Sequence, residues 1–556
     1  MKKLINYYKN NKLFLTVCFT CCCIMILCTA KYILAEFSLN GDDLYFHCAR
    51  IIGVADGIRG GQFPIKYYNN WLFGAAYLGP IFYGDFFLLF PALLVIMGIS
   101  LKTSYVIYIY IIYFSILIAM YFLAKKYLKN KIFSIICATI FSTSQYIFVD
   151  LFFRSAIGES LGIIFFIILL IGIYNMLYED YSKPWILSIA FIGLFLCHMT
   201  MLIISAIVLI FIILFNFKKL LKSKKFYINS LIAFGLFLAI CLYAIVSFAE
   251  MYFSDVYNVS YPWTYPSYNR LTFKELFGFK KVYSVGIIFI VPFVLRLFLI
   301  KLNDYKKEIK CIDKLIIISI VIIYLVTKYF PWEIFDYMFS FIQFPWRLLV
   351  IAELCISLAV AMELKILFKS KRSINMVISL LMPIMLSIFC VVFNNKYLFH
   401  NFKIDYNSLT TTLSTFEWNP RGVVVDDYLD RNIYNSNGES ISYEREEYTT
   451  KVTFCADSQS EYYVVPIIYY KGYSAYIKQN DERIKLNVES DTNAMIKIHT
   501  KGLEGEVYLF YKGTILQNIT FILSNINVML ISCYVIYHTY IKKKINKKSN
   551  LTNNID

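Results

Sequence analysis

Residues 160–178 read SLGIIFFIILLIGIYNMLY, without one charged side chain. A helix of that length rises about 28 Å, close to the thickness of a bilayer's hydrocarbon core. Similar runs recur at 13–34, 103–124, 132–150, 185–197, 199–217, 227–249, 283–300, 315–329, 347–367, 373–393 and 519–540. The 556 residues are 59% hydrophobic, with a mean hydropathy of +0.60. A soluble chain of this length exposes too much surface to carry that composition, so several segments belong in lipid. Aromatics make up 18%, and part of the 47 Tyr and 49 Phe suits interfacial belts.

Lysines set the expected orientation. Clusters fall at the N-terminus, Lys125 to Lys131, Lys218 to Lys225, Lys301 to Lys314, Lys365 to Arg372 and Lys542 to Lys548. If all are cytoplasmic, an even number of spans separates each neighbouring pair, giving about twelve spans with both termini inside. Met1-Lys2-Lys3 before the first run then reads as an uncleaved signal anchor in a cell (plasma) membrane protein. Flanking lysines also account for the net charge of +17, so no nucleic-acid partner is expected. Parity forces two further readings. The apolar run 81–99 becomes a juxtamembrane helix on the outer surface, and 185–217 becomes a tight hairpin turning near His198.

The expected fold is therefore an α-helical polytopic membrane protein with a C-terminal extracytoplasmic β-sandwich. Its divisions are a transmembrane module over 1–393, a β-rich domain over 394–518, and a final span with a basic tail over 519–556. The first outer segment is 35–102. Strand-like alternation marks the β domain at Tyr448 to Phe454, Tyr462 to Tyr469, Lys485 to Val488, Ala494 to His499 and Glu506 to Tyr511. Most of the 14 cysteines lie in apolar runs and serve as small hydrophobic fillers. Cys48 and Cys455 are the two in long outer segments and the one pair considered for a disulfide.

Ionisable residues gather on the expected outer face, where desolvation makes them costly. Asp42, Asp43, His47 and Lys66 occupy the first outer segment, and Asp85 opens the juxtamembrane helix. Arg154 and Glu159 flank the turn between the third and fourth spans, and Arg347 heads the tenth. An aspartate fixed at the surface suits a general base acting on an acceptor hydroxyl. Either Asp42 or Asp43 suits a helix cap equally well, and with His47 they offer too few ligands to assert a divalent cation. Arg347, Arg154 and Lys66 suit a phosphate or pyrophosphate, or else ion pairs such as Arg154 with Glu159 and Arg347 with Glu333. His198 alone on an apolar stretch reads as a helix-packing histidine. Tyr469-Tyr470-Lys471-Gly472-Tyr473 suits either a sugar-stacking patch or ordinary strand and turn aromatics.

Several motifs together look familiar: Gly41-Asp42-Asp43 through Phe46-His47 and Arg50, Gly60-Gly61-Gln62-Phe63-Pro64, Phe82-Tyr83-Gly84-Asp85, Phe153 to Glu159 and Phe344-Pro345-Trp346-Arg347. They resemble the bacterial membrane family labelled "6-pyruvoyl-tetrahydropterin synthase-related domain", although nothing here resembles the soluble pterin enzyme. More distantly, the layout is similar to the GT-C superfamily of glycosyltransferases. That resemblance implies a polyprenyl-phosphate sugar donor and a first-loop aspartate as base, with Asp43 ahead of Asp42 and Asp85 as a secondary acid. It also implies an extracytoplasmic glycan, lipid or protein as acceptor. This sequence departs from the superfamily's usual Asp-Glu pair, since Leu44 follows Asp43. Two alternatives stand beside transfer: a non-enzymatic carrier of a lipid-linked glycan, and an adhesion module on an inert anchor. No Gly- or Pro-broken span of the transporter kind is evident in the sequence.

Overall fold

The computed structural model describes residues 2–34, 42–277, 283–300, 305–368 and 416–538. The expected span 373–393, Cys390 and the basic tail lie outside the described residues. The long helices are α1 (Lys2–Leu34), α2 (Leu44–Arg59), α3 (Leu101–Leu128), α4 (Lys131–Ser142), α5 (Ile157–Tyr178), α6 (Trp185–Cys197), α7 (Met199–Phe215), α8 (Lys224–Tyr252), α9 (Lys306–Val326), α10 (Leu349–Leu367) and α11 (Ile515–Ile536).

Helix boundaries follow from side-chain caps. Ser100 accepts from the Thr103 amide at the start of α3, and Lys129 ends it in the left-handed region. Asn130 then accepts from the Ile132 and Phe133 amides, so one turn closes α3 and opens α4 inside a lysine cluster. A capping box of Thr514 and Gln517 opens α11.

The count of twelve spans requires correction. Among the described residues, α3, α5, α8 and α11 are long and apolar enough to cross a membrane. A fifth arises if α4 and the segment Gln145–Phe153, bent 55° from it, form one span. Among the described residues, several other apolar runs fold into shorter or more polar pieces. The run 283–300 yields only a short turn and the helix Val291–Phe298, about 12 Å long. Helix α10 carries Glu353 and Glu363, and α9 begins in charged sequence. The run 81–99 is helical over Gly79–Phe82 and Phe86–Ile96, each too short for a crossing.

Other topological expectations find direct counterparts. Helices α6 and α7 meet at an extended His198. Gly158 at the start of α5 lies against Cys197, whereas Lys219, just past α7, donates to the Leu177 carbonyl at the end of α5. So α6 and α7 run antiparallel as a hairpin. The lysine clusters also share one end of the bundle: Lys126 pairs with Glu179 at 2.6 Å, Lys225 with Asp180, and Lys365 donates to the Leu128 carbonyl.

The opposite end carries the β domain. Its strands are β1 (Ile433–Asn435), β2 (Ser440–Ile441), β3 (Tyr443–Arg445), β4 (Val452–Ala456), β5 (Tyr462–Ile468), β6 (Tyr473–Gln479), β7 (Glu482–Ser490), β8 (Met495–His499) and β9 (Gly505–Tyr511). They form one antiparallel sheet in the order β2-β1-β5-β8-β7-β6-β9-β4-β3. The first half of β7 pairs with β6 and the second half with β8, so this strand joins the two faces. The sheet ends, β2 and β3, are separated by Ser442 alone, which brings the sheet almost round on itself. The result is a nearly closed antiparallel barrel or sandwich around Phe454, Tyr463, Ile477, Ile496 and Val507. Of the two readings of Tyr469 to Tyr473, the strand-and-turn one fits, since Tyr473 opens β6, along which burial alternates. Tyr470 and Tyr473 are core residues, and the Tyr470 hydroxyl donates to the Trp418 carbonyl at 3.3 Å.

The first outer segment is clamped between the bundle and this domain. Arg445 donates to the carbonyls of Gly74 (2.6 Å) and Asn69 (2.8 Å), Ile468 donates to Ala75, and Phe82 stacks on Trp418. Cys48 is buried and Cys455 exposed, both as free thiols.

Candidate functional site

Two groups of charged side chains sit where α2, the 81–88 segment, the start of α5 and the turn before α10 come together. The first is a closed knot. Arg50, buried on α2, bonds Asp85 at 2.6 Å, the carbonyls of Gly84 and Tyr83, and lies 4.2 Å over the Tyr83 ring. The Tyr68 hydroxyl donates to the other Asp85 oxygen. Arg50 also donates to Nδ1 of buried His47 at 3.3 Å, which leaves the imidazole proton on Nε2. Burial first, and then the neighbouring charges of Arg50, His198 and Arg154, hold His47 well below the usual histidine range.

The second group is assembled from three distant segments. The chain breaks after α4 at Thr143-Ser144 with neither Gly nor Pro, because a partner on another helix caps the break. Glu353 of α10 accepts from the Ser144 hydroxyl and from the Tyr146 amide at 2.9 Å. A π turn follows over Val149–Phe153, closed by the Arg154 amide on the Val149 carbonyl. Such turns redirect side chains and recur at functional sites. This one delivers Asp150 and Arg154 to the start of α5, where Ser155 takes a positive φ of 61°.

Arg154 is buried and pairs with Asp150 (2.5 Å) and Glu159 (3.1 Å), and approaches Asp43 at 3.8 Å. Glu159 also binds Arg347 Nε at 3.2 Å and accepts from the Tyr146 hydroxyl. The remaining Arg347 bonds run from Nη1 to the Ile342 carbonyl and the Gln343 side chain, both 3.0 Å. Among the described residues, Arg347 Nη2 takes no hydrogen bond. Of the two ion pairs weighed from sequence, Arg154–Glu159 forms, whereas Glu333 pairs with Arg270 rather than Arg347.

Asp43 stands at the open side of this network. It occupies the cap position of α2, yet its side chain makes no cap hydrogen bond. Its amide donates to the Arg154 carbonyl at 2.9 Å, which pins it in place. The side chain is 41% exposed, while those of Asp150 and Glu159 are buried. Desolvation on its protein side raises the Asp43 carboxyl above the usual aspartate range, with Arg154 and Arg347 opposing and Asp42 and Glu159 adding to the rise. Asp42 is exposed and accepts from Tyr283 at 3.0 Å. The Tyr283 ring stacks on Trp346 at 4.1 Å, and Trp346 lies 4.5 Å from the Arg154 guanidinium. Glu417, just before the β domain, feels both Asp43 and Arg347 after desolvation, so it borders the same space.

The structure thus unites Asp42, Asp43, Arg154, Glu159 and Arg347, with Asp85 and His47 in the adjoining knot. His198 caps α7 through the Met201 amide at 3.2 Å, and its ring stands edge-on to Tyr83. Lys66 lies elsewhere: its ammonium donates to Asn518 at 3.0 Å, next to the start of α11. Among the described residues, no group of three His, Cys, Asp or Glu side chains is arranged to hold a metal ion. Sequence reasoning gave no site role to Asp150, Tyr146, Tyr283, Trp346, Glu353 or Glu417. Asp150 left a signal, four residues before Arg154 at helical ion-pair spacing, and Trp346 lies in the Phe344-Pro345-Trp346-Arg347 motif.

No protein-family profile matches the chain. It is similar to an "Uncharacterized protein" of Lactococcus lactis subsp. cremoris (strain MG1363), with 24% identity over 591 aligned positions. The alignment covers 94% of this chain and 95% of that protein, so the likeness runs through the helical part and the β domain alike.

Proposed function

We propose that this protein is a multi-pass glycosyltransferase of the cell membrane, using a polyprenyl-phosphate sugar at its extracytoplasmic face. The observation that carries the reading is Asp43: a pinned, uncapped and half-open carboxylate beside two arginines and an aromatic stack. Asp43 accepts the proton of an acceptor hydroxyl as the acceptor oxygen attacks the anomeric carbon. The bond from that carbon to the phosphate oxygen breaks, and its electron pair leaves with the polyprenyl phosphate, inverting the centre. The open Nη2 of Arg347 faces the leaving phosphate, while Arg154, held by Asp150 and Glu159, positions Asp43. Tyr283 and Trp346 offer faces for a sugar ring. No step requires a divalent cation. Acceptors are a surface polymer, a lipid or a protein.

The test uses purified protein in nanodiscs with a panel of polyprenyl-phosphate and nucleotide sugars, scored by mass spectrometry for release of polyprenyl phosphate. Release by wild type and none by Asp43→Asn is the expected result. Equal activity in the two ends the proposal.

A carrier of lipid-linked glycans is the second reading, favoured by the 55° break between α4 and Gln145–Phe153 that feeds Asp150 and Arg154 into the site. It predicts donor binding or movement across a vesicle membrane with no new glycosidic bond in wild type.

A further inference from the structure

At the lysine-rich end of the bundle, far from Asp43, an open groove of about 790 Å³ runs between α3 and α5. Its walls are apolar, built by Ile118 and Phe122 of α3 and by Ile164, Ile168 and Ile171 of α5. Ile118 and Phe122 are more than half exposed, so the groove opens sideways toward lipid rather than into the protein. Along α5 it extends from Ile164 to Tyr174, roughly 15 Å at 1.5 Å per residue. That is about half the 30 Å hydrocarbon core, the depth of one leaflet.

Charge changes abruptly at its end. Lys125, Lys126, Lys129 and Lys183 line the mouth, opposed by Glu179 alone. Glu179 is taken by Lys126 at 2.6 Å. Lys125, Lys129 and Lys183 are exposed, and no acidic side chain pairs with them among the described residues. Trp185 and Tyr174 sit at the same level, where amphipathic rings mark a membrane interface.

We infer that this groove is a binding site for an anionic phospholipid of the leaflet at the lysine-rich end. One acyl chain lies along the isoleucine wall, and the headgroup phosphate meets the three unpaired lysines. The depth of a single leaflet favours a phospholipid over a long polyprenyl tail, and the excess of lysines favours an anionic headgroup over a zwitterionic one. The inference is independent of the transferase reading, since it uses none of the Asp43 site.

The test is native mass spectrometry of the full chain, exchanged into phosphatidylglycerol or phosphatidylcholine with identical acyl chains. Wild type should retain at least about tenfold more phosphatidylglycerol than phosphatidylcholine, given three nearby cationic charges. The variant Lys125→Gln/Lys129→Gln/Lys183→Gln should lose that preference. A control, Lys307→Gln/Lys310→Gln/Lys314→Gln on α9, removes the same charge and should keep it. Ile168→Trp, which fills the groove with all lysines in place, should lower retention of both lipids. Equal retention by the groove variant and the control overturns the inference, as does equal retention of the two lipids by wild type.

Discussion

Arg50 and Arg347 are both buried arginines at the same end of the molecule, each bonded to a buried carboxylate, yet their surroundings differ. Around Arg50 the donors meet acceptors on every side: Asp85, two carbonyls and His47. Around Arg347 one edge stays unused, and the neighbouring network ends in a carboxylate open to water. A saturated charge cluster fixes geometry, and breaking it exposes an uncompensated charge. An unsaturated one keeps binding capacity for something the protein does not itself supply. The difference separates the two clusters into a structural knot and the site proposed for transfer.

Substitutions should divide along that line. Asp43→Asn is expected to lower transfer by about 10²- to 10⁴-fold, the usual contribution of a positioned base, with melting in detergent almost unchanged. Arg50→Ala should do the opposite in kind, costing about 3–5 kcal/mol of stability by leaving Asp85 buried and unpaired, as read by thermal unfolding. Arg347→Gln should raise KM for the lipid donor by about tenfold or more, as expected for loss of one charge-assisted contact, whereas Lys66→Gln, remote from the site, should leave it unchanged.

Two smaller effects concern pH. Because the Asp43 carboxyl is raised and the base must be ionised, transfer should climb with pH through a limb above the usual aspartate range. Arg347→Gln removes an opposing cation and should push that limb higher. The other concerns His47, whose folded value is depressed. Below about pH 6.5 the unfolded chain binds a proton that the folded chain refuses, so stability falls as pH falls. Between pH 6.5 and 5.5 His47 should account for about 1 kcal/mol of the loss, the part that disappears in His47→Gln, while His198, also held low by burial, adds a similar loss that remains in that variant.

Some of this was legible in the sequence and some was not, for physical reasons. Lysine parity placed the α6–α7 turn at His198 because charge at helix ends is a local property. The same rule overcounted spans, since hydropathy does not register that the 283–300 run folds into short pieces or that Glu353 and Glu363 lie within a helix. Five strands showed by alternation, but β1, β2 and β3 are too short to show a period. Strand β6 was hidden because its aromatic start resembles a surface patch. At the site, charge clustering singled out Asp43, Arg154, Glu159 and Arg347. Which of them stay saturated is a matter of tertiary contacts such as Asp150 and Tyr146, and no spacing rule reports it. The break at Thr143-Ser144 was invisible because its cap, Glu353, lies some two hundred residues away.

The hydrogen bond from Lys66 to Asn518 joins residues 452 positions apart. A ribosome adding about 5–20 residues per second needs roughly 20–90 s to travel between them. During that interval the first outer segment exists without its final clamp, and for most of it also without the Arg445 contacts that hold Asn69 and Gly74. The half-made protein therefore has a lifetime of its own, in which a chaperone or protease can meet the charged cluster before the contacts above it have formed. A truncated chain ending before α11 should be captured by such factors during synthesis, although every charged residue of the site has already been made.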